Sequence, residues 1–334
     1  MSPPYIHWWW KCLLLTFILQ YIHSSIQSTN NELVSFNQTA IARCPTTQDF
    51  VDVGLVHKFK VCARPDDPII YKWLQHDKQW GFFVEYETIL AHRGPYNIIE
   101  IGGNIGINAI HSAVLGHEIM VFEPQPELAR YINLNADINS VHNRVKVMEM
   151  GLSDSVGTAT LLIDRNNRGG SKIIGTLETN NANYITIKIE TLDTMNIDKK
   201  IFLMKIDCEG HELKVLLGGK NLLSNVNLRP DIILIEFGYK EQNPREILKM
   251  LHEIYSYEIY IVDYWLPGGQ ERHIQPWRRV DPSCFHKLCN DIKVYVDIAA
   301  ISSTFKAEFP FLTNTMRMEG EPSLPEFSYE LCQS

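Results

Sequence analysis

Asn97-Ile98-Ile99-Glu100-Ile101-Gly102-Gly103-Asn104-Ile105-Gly106 joins a short apolar run to a glycine turn, and Val121-Phe122-Glu123-Pro124 closes a second apolar run on an acid. The order reads as strand, glycine turn, helix, strand, acid. A glycine turn between a buried strand and a helix lets the backbone approach a ligand, and a carboxylate ending the next strand accepts hydrogen bonds from two ribose hydroxyls. Together they imply an adenosine-containing cofactor. The nicotinamide fingerprint asks for glycine at its first, third and sixth positions, but counting from Gly102 the last two are Asn104 and Ile107. A Walker lysine followed by Ser or Thr is missing after the turn as well, which disfavours a nucleoside triphosphate.

Outward from that stretch, short apolar strands alternate with helical segments, as parallel strands require when each needs a crossover to return. Strands are expected at Ile98 to Ile101, Glu118 to Phe122, Val145 to Met150, Phe202 to Ile206, Ile232 to Glu236, Tyr257 to Val262 and Lys293 to Ile298. Helices are expected at Asn108 to Leu115, Pro126 to Asn135, Glu212 to Leu217 and Pro244 to Ile254. The fold class is therefore α/β, a doubly wound sheet of seven strands. Between Gly151 and Lys205 the alternation lapses. There Thr158 to Ile163 and Tyr184 to Ile189 alternate with period two and predict an antiparallel pair, with turn chemistry at Asn166-Asn167-Arg168-Gly169-Gly170. Upstream, Ile69, Ile70, Trp73, Leu74 and then Phe82, Phe83, Tyr86, Ile89 and Leu90 recur at helical spacing and predict two short cap helices.

The 334 residues are 45% hydrophobic and 21% charged, ordinary for a globular chain. A formal net charge of -8 without a basic stripe argues against nucleic acid as a partner, because phosphate binding needs clustered Lys and Arg. Trp8-Trp9-Trp10-Lys11 leads into an apolar run from Cys12 to Ile22, which reads as a signal peptide or a single-pass signal anchor. Lys11 is the only Lys or Arg before a lumenal or outer remainder, so the protein is expected in the secretory pathway, membrane-anchored or secreted after cleavage. Seven cysteines suit disulfides there, without fixing which pair. A zinc site is not expected, since Cys284 and Cys289 lack a second pair at finger spacing. Asn37-Gln38-Thr39 is a glycosylation sequon. The expected organisation is a targeting segment over 1–28, a linker and cap helices over 29–94, a catalytic domain over 95–305 and a tail over 306–334.

A second cluster, Met204-Lys205-Ile206-Asp207-Cys208-Glu209-Gly210-His211-Glu212, runs an apolar strand into three carboxylates and a histidine. Ligands lie outside the carboxyl ends of parallel strands, so this cluster and the glycine turn are expected to open onto one crevice. Glu212 also reads as a helix N-terminal acid that complements the dipole.

These segments resemble the successive motifs of FkbM-family methyltransferases. The resemblance rests on Ile98 to Gly106, Phe122-Glu123-Pro124, Gly151-Leu152-Ser153-Asp154, Glu190-Thr191-Leu192-Asp193 and Lys205 to Glu212, with Ile232 to Phe237 as the fifth strand. It implies a class I, Rossmann-like methyltransferase fold with S-adenosylmethionine as cofactor. It also implies O-methylation of a hydroxyl or carboxyl on a sugar or similar small molecule. By position, Glu100, Gly102, Asn104 and Gly106 would hold the methionine end, Glu123 the ribose, and Ser153 and Asp154 the adenine edge. Glu100 stands where the family commonly has Asp. Asp207 or His211 would be the base that removes a hydroxyl proton; alternatively Asp207 and Glu209 would hold a divalent cation, although no third ligand is evident. Two rival readings remain: a nicotinamide-dependent oxidoreductase on a similar fold, and a catalytically silent lumenal binding module.

Overall fold

The computed structural model describes residue 44 and residues 50–53, 57–63, 70, 89–90, 94–174, 183–237, 244–266, 270–279 and 296–308. The targeting segment, the sequon, most of both cap helices and the tail beyond 308 lie outside the described residues. Three cap positions, Ile70, Ile89 and Leu90, are described, and all are buried in the core. Among the described residues, no helix is long and apolar enough to cross a membrane.

In chain order the elements begin with β1 (Phe50–Val53) and β2 (Phe59–Cys62), then β3 (Asn97–Ile101), α1 (Ile107–Val114), β4 (Glu118–Phe122), α2 (Pro126–Ile138) and β5 (Val145–Met148). Four strands follow, β6 (Gly151–Leu152), β7 (Gly157–Leu162), β8 (Lys172–Ile173) and β9 (Tyr184–Glu190). The second half holds β10 (Ile201–Ile206), α3 (Glu212–Leu217), α4 (Lys220–Ser224), β11 (Ile232–Phe237) and α5 (Pro244–Lys249), which runs on as a wider turn over Met250–Ile254. The described chain closes with β12 (Glu258–Leu266), β13 (Gln270–Arg279), β14 (Val296–Ile301) and α6 (Ser303–Glu308).

The main sheet has the order β13-β12-β14-β11-β10-β3-β4-β5. Strands β11, β10, β3, β4 and β5 run parallel, while β14 and β12 are antiparallel to their neighbours. All seven expected strands are present; of the last, 293–295 lie outside the described residues. An eighth, β13, extends the edge as a hairpin partner of β12. It escapes a period-two reading because QERHIQPWRR carries one β-branched residue and a proline. The expected strand from Val145 also divides. Its first four residues join the main sheet, and Gly151–Leu152 pairs with β9 in a separate four-stranded sheet of order β6-β9-β7-β8. The antiparallel pair of β7 and β9 is as expected.

Both faces of the parallel region are covered, so its strands read as unbroken apolar runs; every residue of β10 is buried. Alternation divides them between two layers. Ile98, Val121, Leu203 and Leu234 pack with α1 and α2, whereas Ile99, Phe122, Met204 and Ile235 pack with α3 and α5. Each such side chain contributes roughly 1.5–3 kcal/mol by burial. Cys44 is bonded to Cys62, and Asn135 of α2 accepts a hydrogen bond from the Cys62 N–H at 2.7 Å, which ties the β1–β2 hairpin to the domain.

Candidate active site

Parallel register aligns the strand ends. Ile101 pairs with Phe122 and with Ile206, and Ile206 pairs with Ile235. The residues that follow, Gly102, Glu123, Asp207 and Glu236, therefore stand in a row along one rim of the sheet. A crevice open to solvent lies over this rim. Gly102, Glu123, Asp207, Cys208 and Glu209 line one side, and Gly151, Leu161 and Ile173 of the small sheet line the other. The glycine turn and the acidic cluster thus share one crevice, as expected.

Gly102 is dictated by crowding and by conformation. Its φ is +86°, and a Cβ there would lie 1.8 Å from the Asp207 carbonyl oxygen. That close approach lets the Asp207 N–H reach the Ile101 carbonyl at 3.0 Å, so the acidic loop is laid against the glycine turn. Gly106, also at φ +86°, caps the N-terminus of α1.

Glu123 is only 4% exposed, and each of its carboxylate oxygens accepts one backbone hydrogen bond. Oε2 takes the Asn104 N–H at 2.8 Å and Oε1 the Gln125 N–H at 2.9 Å. Burial pushes its pKa up to about 8 against those two bonds. Glu100 is buried between the α1 side chain Asn108, whose Nδ2 donates to Oε1 at 3.1 Å, and Lys205, whose Nζ lies 4.0 Å from the same oxygen. Burial raises Glu100 to about 7, with Lys205 and Asn108 opposing. Its second oxygen, Oε2, has no partner, and neither have Asn104 Oδ1 and Asn108 Oδ1. Buried acceptors are normally satisfied, so three unpartnered ones clustered beside a glycine turn stand out.

Asp207 stands differently. Its Oδ2 receives Lys205 Nζ at 2.7 Å, and its carboxyl is hydrogen-bonded to Glu236. Burial alone would raise it, yet the Lys205 ammonium and the bond from Glu236 outweigh burial and hold Asp207 below the usual range. Burial also works against the charge on Lys205, but Asp207 and Glu100 raise its pKa. Glu209, at φ +57°, lines the crevice with its pKa lifted to about 7 by burial first and by Asp207 second.

His211 and Ser153 are brought together away from the crevice lining. His211 Nε2 lies 3.0 Å from Ser153 Oγ, which donates to Asp154 Oδ1 at 3.1 Å, an arrangement that suits the tautomer protonated on Nε2. Burial lowers His211 to about 4, aided by Lys214 and opposed by Asp154. Glu212 fulfils its helix-terminus reading: Oε1 accepts the Cys208 and Gly210 N–H groups at 2.8 and 3.2 Å and folds the acidic loop. Asp193 accepts the N–H groups of Asn221 and Leu222 and caps α4. Among the described residues, no group of three or more His, Cys, Asp or Glu is arranged to hold a metal ion.

Sequence reasoning gave no role to Lys205, Glu236, Asn108 or Gln125. Lys205 and Glu236 carried a visible signal, each the single charge inside an otherwise apolar strand. Such a residue needs a buried partner.

Residues 100–259 match the Methyltransferase FkbM domain, just under half of the chain. The hexuronic acid methyltransferase AglP of Haloferax volcanii is 27% identical over 158 residues, a match covering 46% of this chain and 60% of that protein. Among solved structures, a precorrin-6Y C5,15-methyltransferase from Geobacter metallireducens aligns at 11% identity and TM-score 0.34, covering 65% of this chain and 89% of its own. An rRNA methylase from Streptococcus thermophilus aligns at 8% identity and TM-score 0.38, covering 67% and 97%. Those structural likenesses are faint, and the fold rests on the strand order itself.

Proposed function

We propose that this chain is an S-adenosylmethionine-dependent O-methyltransferase acting on a hydroxyl of a small molecule or glycan. The observation that carries it is the set of orphaned acceptors, Glu100 Oε2, Asn104 Oδ1 and Asn108 Oδ1, beside a turn whose glycine admits no side chain. An α-ammonium supplies the donors these atoms lack. Each Glu123 oxygen keeps a lone pair beyond its backbone bond, the requirement for receiving a ribose diol. When bound, S-adenosylmethionine supplies an electrophilic methyl group on a sulfonium.

The chain's own work is to orient the acceptor and take its proton. Asp207 lines the crevice, is ionised, and is fixed by Lys205. Asp207 would accept the proton that the acceptor hydroxyl loses and pass it to solvent. His211 is engaged by Ser153 and lies away from the crevice lining. A hydroxyl suits this site better than a carboxylate, which would meet the negative charge of Asp207 and Glu209. A sugar acceptor draws support from the relative named for hexuronic acid methylation. We further place the domain in the secretory pathway, lumenal on an anchor or secreted. The Cys44–Cys62 bond supports that compartment, since disulfides persist where conditions are oxidising.

Calorimetry with S-adenosylhomocysteine tests the cofactor. Saturable binding that drops at least tenfold in Glu123→Ala, with none for nicotinamide dinucleotides, supports the reading; preference for the dinucleotides, or no cofactor binding, removes it. Incubation with labelled S-adenosylmethionine and cell extract then identifies the acceptor by what becomes labelled.

A further inference from the structure

We infer that Glu236 is a positioning residue for the transfer reaction: it carries a proton of its own and donates it to Asp207, keeping that carboxylate ionised and aimed into the crevice. The inference rests on the reading that Asp207 faces the acceptor.

Two carboxyl groups joined by a hydrogen bond need one proton between them, because an ionised carboxylate has no donor. Asp207 and Glu236 are joined in this way at adjacent strand ends, one step beyond the Ile206 and Ile235 pair. Their surroundings decide which keeps the proton. Asp207 has the Lys205 ammonium at 2.7 Å. Glu236 pairs across the antiparallel ladder with Asp297 and also feels Glu209. The groups facing Asp207 are Lys205, Glu100, Glu123, Glu209 and Glu236, and those facing Glu236 are Asp207, Asp297, Glu209 and Lys205. The cation is shared unequally, so the negative charge settles on Asp207 and the proton on Glu236. Burial, then Asp207 and Asp297, push Glu236 well above the carboxylate range.

A plain apolar residue would fill the same volume at the end of β11. A protonated glutamate adds a directed donor that neither Lys205 nor solvent replaces. With it, Asp207 keeps an oxygen for the acceptor hydroxyl while the rest of the carboxyl is held.

The test uses the full chain with Glu236→Gln, Glu236→Leu and Asp207→Asn. The wild-type minus Glu236→Gln infrared difference spectrum at pH 7 should show one protonated-carboxyl band that the variant lacks, the bands of Glu123 and the other raised glutamates cancelling between the two. Carbon-13 carboxyl NMR, assigned with Asp207→Asn, should give Asp207 a similar midpoint in the wild type and Glu236→Gln, whose amide still donates. In Glu236→Leu the midpoint should rise by about one pH unit, a tenfold gain in proton affinity. A merely structural Glu236 would leave that midpoint in place. A difference spectrum with no protonated-carboxyl band lost on Glu236→Gln, or equal midpoints in all three, overturns the inference. S-adenosylhomocysteine calorimetry on the same samples separates the two failures. Binding intact with the infrared band unmoved sinks only the role of Glu236, whereas no binding in the wild type sinks the methyltransferase reading itself.

Discussion

The two halves of the rim handle buried charge in opposite ways. Around the glycine turn, Glu100 and its neighbours Asn104 and Asn108 keep acceptor atoms with nothing to accept. At the end of β10, Asp207 is matched by Lys205 and Glu236 within the chain, although Glu212 Oε2 in the loop that follows lacks a partner. An unmatched buried acceptor costs stability until a ligand satisfies it, and a matched ion pair is costly only when one member is removed. The first half is therefore built to be completed and the second to hold one carboxylate in place. Substitutions should separate them: changes in the first act mainly on binding, changes in the second mainly on stability.

Lys205→Met gives the largest expected effect. It leaves the buried Glu100 and the half-buried Asp207 without their cation, and breaking such a pair costs up to about 3–5 kcal/mol. Urea denaturation should show the loss growing from pH 5 to pH 8, as the abandoned carboxylates are forced to ionise. A loss under 1 kcal/mol at pH 8 would mean that the lysine does not hold the second half together. Next comes Gly102→Ala, where the methyl group meets the Asp207 carbonyl and the backbone sits at φ +86°. The expected cost is about 3 kcal/mol. Because this residue joins the halves, S-adenosylhomocysteine affinity should fall with it. Unchanged affinity would separate the turn from the cofactor.

Much of the difference between the halves was legible in residues 97–106 and 204–212. Apolar runs ending in acids give the strands, the glycines give the turn, and parallel topology brings both to one rim. What could not be read was which polar groups satisfy one another. Glu212 and Asp207 look alike as acids after a strand, yet Glu212 turns back onto two loop N–H groups while Asp207 lines the crevice. His211 has the residue type of a base, but its partner Ser153 is 58 positions away in sequence. Lys205 and Glu236 meet Asp207 only through register, which follows from pairing along the whole sheet. β13 was missed for a local reason, its polar composition and its proline.

The half awaiting a ligand should also betray itself by protons. Glu123 titrates near 8 in the free protein because of burial, so at pH 7 it is mostly protonated. Hydroxyls that donate to its carboxylate favour the ionised form, and binding should release up to about one proton at pH 7. Calorimetric heats of S-adenosylhomocysteine binding should then scale with the ionisation enthalpy of the buffer, and Glu123→Gln should abolish the dependence. Equal heats in all buffers would remove Glu123 from the site. Stability carries the same sign. Between the ordinary 4.5 and the raised values near 7 for Glu100 and Glu209 and near 8 for Glu123, the unfolded chain loses protons that the folded chain keeps. Folding stability without ligand should fall across that window as pH rises.

The smallest expected effect belongs to the pair outside the crevice lining. Ser153→Ala removes the acceptor of the His211 Nε2–H, leaving a buried donor unsatisfied at a cost of about 1–3 kcal/mol. The histidine reports on itself through pH. Its folded pKa, lowered to about 4 by burial, lies below the ordinary 6.5, so between those values the unfolded state binds the extra proton. The contribution of His211 to stability is therefore present above 6.5 and lost as pH falls toward 4, opposite in direction to the raised glutamates. In Ser153→Ala, S-adenosylhomocysteine affinity should stay within about threefold of wild type, under 1 kcal/mol. A tenfold fall in affinity would instead place Ser153 against the cofactor, as its position in the family motif implies.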